Sequence, residues 1–210
     1  MSGDSILAID ESMLVDAGTR RKIYRHPEDD NKILKVFRED QIPAKRRARL
    51  WYGRFKSLRR FDDNELDYLQ YRRAMKHASD PLGCIYTIFG YAEKTQGRAL
   101  VGEHVRNADG ATSVTLQRFL QDHGPAKVLP LVDEFFEELA ANHVVTKDPH
   151  LENILVRELA GGALRLVIID GLGDPNLIPF ATLSKRLNRK KLMRKKQTLI
   201  RKAKSFAEFV

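Results

Sequence analysis

The stretch TKDPHLENILVRELAGGALRLVIIDG, which begins at Thr146, carries Asp148, Asn153 and Asp170. Residues 154–156 and 164–169 are rich in branched apolar side chains, and Gly161-Gly162 lies between them. That composition predicts two strands joined by a tight turn, since both glycines accept the positive φ a two-residue hairpin connection needs. A turn centred there sets Val156 opposite Val167 and Ile154 opposite Ile169, and leaves Asn153 opposite Asp170 at the open end. A carboxylate and an amide oxygen then converge, the oxygen-only ligand set that Mg²⁺ prefers. Asp148, in the loop leading into the hairpin, is placed to orient or deprotonate a hydroxyl. An ion that neutralises phosphate charge and a carboxylate that handles an acceptor proton are the essential parts of phosphoryl transfer. Taken singly, Asp, Asn and Gly at strand ends make turns. The spacing D-x-x-x-x-N followed by D-G after an apolar strand favours the chemical reading.

The rest of the chain predicts the elements that hold this segment. Short strands are expected over 5–16, 22–25 and 32–37, with the turn-rich HPEDD at 26–30 between the last two. Helices are expected over 44–60 and 63–77. In the second, Leu66, Leu69, Tyr71 and Ala74 form the apolar stripe, and Asp62-Asp63-Asn64 the cap. A strand pair follows over 85–91 and 98–105. A helix over 127–141 has Leu131, Val132, Phe135, Phe136 and Leu139 on one wide face. Strands first and helices later predict an α+β architecture.

Composition narrows the setting. The chain has 210 residues, 42% hydrophobic and 31% charged, enough for one core or two small lobes. No apolar run approaches the roughly 20 residues that span a bilayer, and the N-terminus lacks the pattern of a secretory signal. The lone cysteine, Cys84, excludes an internal disulfide and fits a reducing compartment. The expected location is cytoplasmic, with the inner-membrane surface as a peripheral alternative. The net charge of +9 is concentrated: from Pro175 onward eleven Lys/Arg stand against one acid, Glu208, and 45–60 hold eight Lys/Arg and no acid. Such runs suit anionic membrane or nucleic acid, or are simply solvated helix faces. Trp51, Tyr52 and Phe55 among the arginines of 45–60 read as base-stacking groups or, more simply, as a buried helix face.

Asp148-Pro-His-Leu-Glu-Asn153 resembles the catalytic loop of protein-kinase-like phosphotransferases, in the D-x-H-x-x-N form of aminoglycoside-type kinases. Asp170-Gly171 resembles the metal-binding D-F-G element. Ile33-Leu34-Lys35-Val36 is similar to the strand that carries the phosphate-binding lysine. The stretches RKIYRHPEDDNKILKV, GRALVGEHVRNADG, VVTKDPHLENILV and IIDGLGDPNLIPFATLSKRL resemble the PhoP regulatory network protein family (YrbL) along most of the chain. The resemblance implies a two-lobed, protein-kinase-like fold. Residues 1–105 would be a mainly β N-lobe, 106–183 a short, mainly helical C-lobe, and 184–210 a basic tail. It further implies ATP and Mg²⁺ as cofactors. Gly18 stands at the phosphate loop, Lys35 on the ATP phosphates, Glu65 beside Lys35, and Glu103 to Val105 at the adenine. Asn153 and Asp170 fall on the metal, and Asp148 on the acceptor's proton.

The chain departs from the kinase pattern in several places. Gly18 is the single glycine of its loop, Thr146-Lys147 replaces His-Arg, the phenylalanine of D-F-G is missing, and no A-P-E element follows Asp170. A short C-lobe fits a glycan, a lipid-linked or another small hydroxyl acceptor better than a folded protein. Two rival readings stand beside the enzyme: a pseudokinase that binds nucleotide without turnover, and a binder of anionic surfaces through its tail. Lys35 is alternatively a surface lysine, Glu65 part of a solvated acidic helix start, and His150 a brace for its loop.

Overall fold

The computed structural model describes residues 7–18, 20–38, 62–76, 78, 82–94, 97–147, 149–174 and 184–206. The helix expected over 44–60 and the candidate base Asp148 lie outside the described residues. The chain divides into two compact units, one of Met1–Tyr68 with Thr87–His104, the other of Leu69–Tyr86 with Val105–Val210.

The first unit is built on a five-stranded antiparallel sheet of β1 (Leu14–Ala17), β2 (Arg21–Arg25), β3 (Lys32–Phe37), β4 (Ile88–Lys94) and β5 (Gly97–Glu103), in the order β1-β2-β3-β5-β4. A 3-10 turn at Glu11–Met13 precedes β1, where a longer strand was expected. One face of the sheet is apolar: Leu34, Tyr24, Ala99 and Val101 close on Leu7, with Ile9, Met13 and Leu14 at the margin. The other face carries Lys35, because alternate side chains of a strand point to opposite sides. Helix α1 (Asp63–Met75) follows β3, and Asp62 Oδ1 caps it by accepting from Asn64 N at 2.9 Å. The expected apolar stripe is only part of its buried face: Ala74 is in the core and Tyr71 packs against it. Leu69 is exposed, whereas Asp63, Asn64, Asp67 and Gln70 are buried with Ala74. A polar stripe is buried only where partners satisfy it.

The second unit combines helices with a small sheet, β6 (Val114–Thr115), β7 (Ile154–Glu158) and β8 (Leu164–Ile168), in that order. Residues 84–86 run along the free edge of β8, with Tyr86 N donating to Ile168 O and Ile168 N to Cys84 O. Helix α2 (Leu116–His123) is capped by Thr115, whose Oγ1 accepts from Arg118 N. Helix α3 (Leu129–Ala141) buries Val132, Phe135, Phe136 and Leu139, the face its periodicity predicts. Burial pushes the Cys84 thiol well above its ordinary pKa, and the Glu138 carboxylate beside it acts in the same direction.

Helix α4 (Lys185–Lys204) occupies most of the stretch expected to be a basic tail. It is a packed element: Asn188, Leu192, Leu199 and Ala203 form one buried stripe, and the last three join the core with Phe136, Leu139 and Ile154. The leucine positions alone looked irregular because the stripe is completed by an asparagine and an alanine. Its outer face is basic, and no described helix is long and apolar enough to cross a membrane. Leu199→Ala is therefore expected to cost about 2–4 kcal/mol by leaving a cavity, and Leu187→Ala, at an exposed position, less than about 0.5 kcal/mol. Urea denaturation of both variants checks this; equal effects would contradict the packing of α4.

Candidate functional site

In the first unit, Lys35 is 1% exposed on β3, between Ile23 on β2 and Leu100 on β5. It is not the surface lysine that sequence left open. Its carbonyl accepts from Asn64 Nδ2 at 2.9 Å, which fastens the start of α1 beside it. Arg21, next to Ile23 on the same face, donates from Nη1 to Asn64 Oδ1 at 2.9 Å and to Asp67 Oδ2 at 2.8 Å. Asp67 is fully buried and Arg21 nearly so, and a buried charge persists only when paired and hydrogen-bonded. Asp63 pairs with Arg20 at 3.2 Å. The buried acids of α1 are thus Asp63 and Asp67, one turn apart.

Glu65, expected beside Lys35, is engaged elsewhere. Its Oε2 accepts from Arg98 Nη2 at 2.7 Å and from the Tyr91 hydroxyl at 3.3 Å, with the Arg98 guanidinium 4.0 Å from the Tyr91 ring centroid. Burial, then the Asp62 and Glu65 charges, raise the Tyr91 phenol above its ordinary pKa. Burial likewise raises the Asp62 carboxyl. The signal that singles out Asp67 is available in the sequence as the Asp63, Asn64, Asp67 spacing on one helix face.

The remaining expected nucleotide contacts sit as follows. Gly18 is exposed in the β1–β2 connection, and its carbonyl accepts from Arg38 at 3.5 Å. Glu103 ends β5, its N–H donating to Thr87 O at 2.8 Å and its Oε2 accepting from Thr87 N at 3.0 Å. Val105 begins the next stretch of the second unit, buried, with its carbonyl accepting from Ser113 N at 3.1 Å.

In the second unit, the β7–β8 hairpin forms with a register one residue away from expectation. Ile154 faces Ile168 and Val156 faces Leu166. The turn is longer than two residues: Leu159 N donates to Ala163 O and Gly162 N to Leu159 O, with Gly161 and Gly162 at φ 83° and 80°. Asn153 is accordingly set against Ile169, whose N–H donates to Asn153 O at 2.9 Å, and Asp170 follows one residue beyond. The two side chains stay at the same end of the hairpin.

The segments on either side of this end are bound to each other. Lys147 N and Thr146 Oγ1 both donate to Gly171 O, at 2.7 and 3.0 Å, and Gly173 N donates to Val145 O at 2.7 Å. Gly171 has φ 78°, a conformation that a side chain would strain. Asn153 N closes a turn on His150 O at 3.0 Å, so the backbone of His150 braces the loop. Helix α4 holds the same segment from its other side. Asn188 Nδ2 donates to Val144 O at 3.0 Å, Lys195 Nζ donates to the carbonyls of Thr146 and Lys147, and Lys191 pairs with Asp174 at 3.4 Å. Lys195 and Asn188 thus support the segment of the candidate site, and neither stands out in the sequence, where they are one lysine among eleven cations and a polar break in an apolar pattern.

These two networks differ in how deeply their acids are buried, and mutation should separate them. Asp67→Asn is expected to destabilise the protein by about 3 kcal/mol, since it strands the buried Arg21. Glu65→Gln, at a more exposed pair, should cost about 1 kcal/mol or less. Chemical denaturation of the two variants measures the order, and the reverse order would contradict the burial described.

The uncharacterized protein YrbL of Escherichia coli (strain K12) is 28% identical over 186 residues, covering 86% of this chain and 80% of the relative. The protein of the same description from Shigella flexneri matches to the same extent. Among solved structures, Rad53 residues 1–466 in complex with AMP-PNP is similar with a TM-score of 0.48 and 15% identity, over 78% of this chain and 38% of that one. The PknI kinase domain of Mycobacterium tuberculosis is similar with a TM-score of 0.45 and 15% identity, over 75% of this chain and 57% of that one. This chain thus spans less than two thirds of either solved chain. The profile of the family described as PhoP regulatory network protein YrbL matches residues 7–204, and the chain belongs to that family.

Proposed function

We propose that this chain is a kinase-like phosphotransferase that moves a phosphoryl group from ATP to a hydroxyl acceptor. The observation that carries the reading is the 2.9 Å bond from Ile169 N to Asn153 O, which keeps Asn153 beside the D-G end of the hairpin. Asn153 and Asp170 offer only oxygen donors there, a set that fits Mg²⁺. The ion, when bound, would neutralise phosphate charge. Lys35 is assigned to the phosphates, and its orientation to the buried acids of α1, Asp63 and Asp67, in place of Glu65. Gly18 would lie over the phosphates, and the backbone from Glu103 to Val105 beside adenine. Asp148 is assigned to the acceptor's proton. A glycan, a lipid-linked compound or another small hydroxyl compound is the acceptor class.

The second reading, a nucleotide-binding pseudokinase without turnover, is favoured by one feature: Gly18 is the single glycine of the β1–β2 connection. The third reading, a binder of anionic membrane or nucleic acid through the basic tail, would rest on charge alone, because the apolar face of α4 is used in the core.

Calorimetry with ATP, with and without Mg²⁺, tests the central assignment. Magnesium-dependent binding weakened at least tenfold in Asp170→Ala is expected. Asp148→Asn should keep that binding and lose ATP hydrolysis or transfer, whereas binding without turnover in the natural protein would establish the pseudokinase. Absence of nucleotide binding at millimolar ATP, or binding unchanged in Asp170→Ala, would overturn the assignment.

A further inference from the structure

Helix α4 and the candidate catalytic loop enclose a small recess. Pro149, next in sequence to Asp148, forms one wall, and Arg194, Lys195, Thr198, Leu199 and Lys202 form the rest, around a volume of about 150 Å³. The five helix residues recur at i, i+1, i+4, i+5 and i+8 and therefore present one face. Three of the six lining residues are cations, one is a hydroxyl, and none is an acid. A concave wall of like charge concentrates the field of its cations on an anion.

The recess is set apart by its concavity, since Lys185, Arg186, Lys190, Arg201 and Lys204 outside it also carry no ion pair among the described residues. Three cations of α4 are neutralised by acids: Arg189 by Glu137 at 2.8 Å, Lys196 by Asp133 at 2.8 Å and Lys191 by Asp174 at 3.4 Å. Among the described residues, Arg194 and Lys202 carry no ion pair. Lys195 is fixed in place by the carbonyls of Thr146 and Lys147, so its charge is held at the recess. The Thr198 hydroxyl donates to Arg194 O at 3.2 Å, which leaves its oxygen lone pairs and the two unpaired cations to set the recess chemistry. The guanidinium fork of Arg194 and the ammonium of Lys202 suit the oxygens of a phosphomonoester, with the fixed charge of Lys195 beside them.

We propose that this recess binds a phosphomonoester borne by the acceptor, so that the acceptor is an anionic, already phosphorylated hydroxyl compound. The proposal rests on the phosphotransferase reading, because Pro149 adjoins the residue assigned to the acceptor's proton. It narrows the acceptor from any hydroxyl compound to one that carries a phosphate group.

The test uses the full chain without nucleotide, titrated with inorganic phosphate and with glycerol 3-phosphate by calorimetry. A parallel arm measures sedimentation with phosphatidylcholine vesicles containing or lacking phosphatidic acid. The double variant Arg194→Gln/Lys202→Gln should bind both soluble probes at least tenfold more weakly. The charge-matched control Lys185→Gln/Arg189→Gln, at the other end of the same helix, should bind them within twofold of the natural protein. Vesicle binding lost in the recess variant alone would identify a lipid-borne phosphate as the source, and soluble binding without it a free metabolite. Equal losses in the two variants would reduce the effect to diffuse charge, and no phosphate binding at millimolar concentration would remove the site; either overturns the proposal. Phosphate binding in a protein that fails to bind ATP would overturn the acceptor assignment through the reading it rests on, and the recess would remain an anion site.

Discussion

The pair of backbone bonds between 145–147 and 171–173 is the constraint on which the second unit's site depends. Both segments are irregular, and irregular backbone holds one geometry only where its polar groups are satisfied. Gly171 O takes two donors and Gly173 N reaches back to Val145 O, so the loop before Asp148 and the turn after Asp170 are a single bridged structure. Helix α4 completes the arrangement. Without Asn188 and Lys195 the carbonyls of Val144, Thr146 and Lys147 would lose their side-chain donors. A helix that looks in sequence like an appended charge run is therefore part of the frame of the site.

The first unit solves a different problem, the burial of a lysine. Lys35 on the polar face of the sheet lies beside a helix whose buried stripe is Asp63, Asn64 and Asp67. Arg21 ties that stripe together, and the carbonyl of Lys35 is bonded to Asn64. Such a face is costly to build compared with an apolar one. The same polar stripe explains why α1 shows little amphipathic pattern.

What could be read from the sequence depended on how local its cause was. Strand β3 was legible at its full extent, and α3 nearly so, because the cause of each is local: an apolar run beside a turn-rich connection in β3, and one wide apolar face in α3. The hairpin was legible as a hairpin, but its register slipped by one because Gly-Gly permits either a two-residue turn or the longer one that Leu159 and Ala163 close. Both strands are apolar on both faces near the site, so pattern alone does not choose between the registers. Glu65 was the acid that motif order suggested, yet Arg98, which is distant in sequence, captures it. The packing of α4 was hidden for a similar reason: Asn188 belongs to the stripe through a bond to Val144 O that no local signal announces.

Native-state amide hydrogen exchange at Lys147 and Gly173 tests the bridging of these segments most directly. Both amides donate across the bridge at 2.7 Å. Slow exchange at the two positions is predicted, with Lys147 exchanging faster in Lys195→Met, where the helix no longer holds the loop. Exchange at the rate of an open loop in the natural protein, at either amide, would contradict the account.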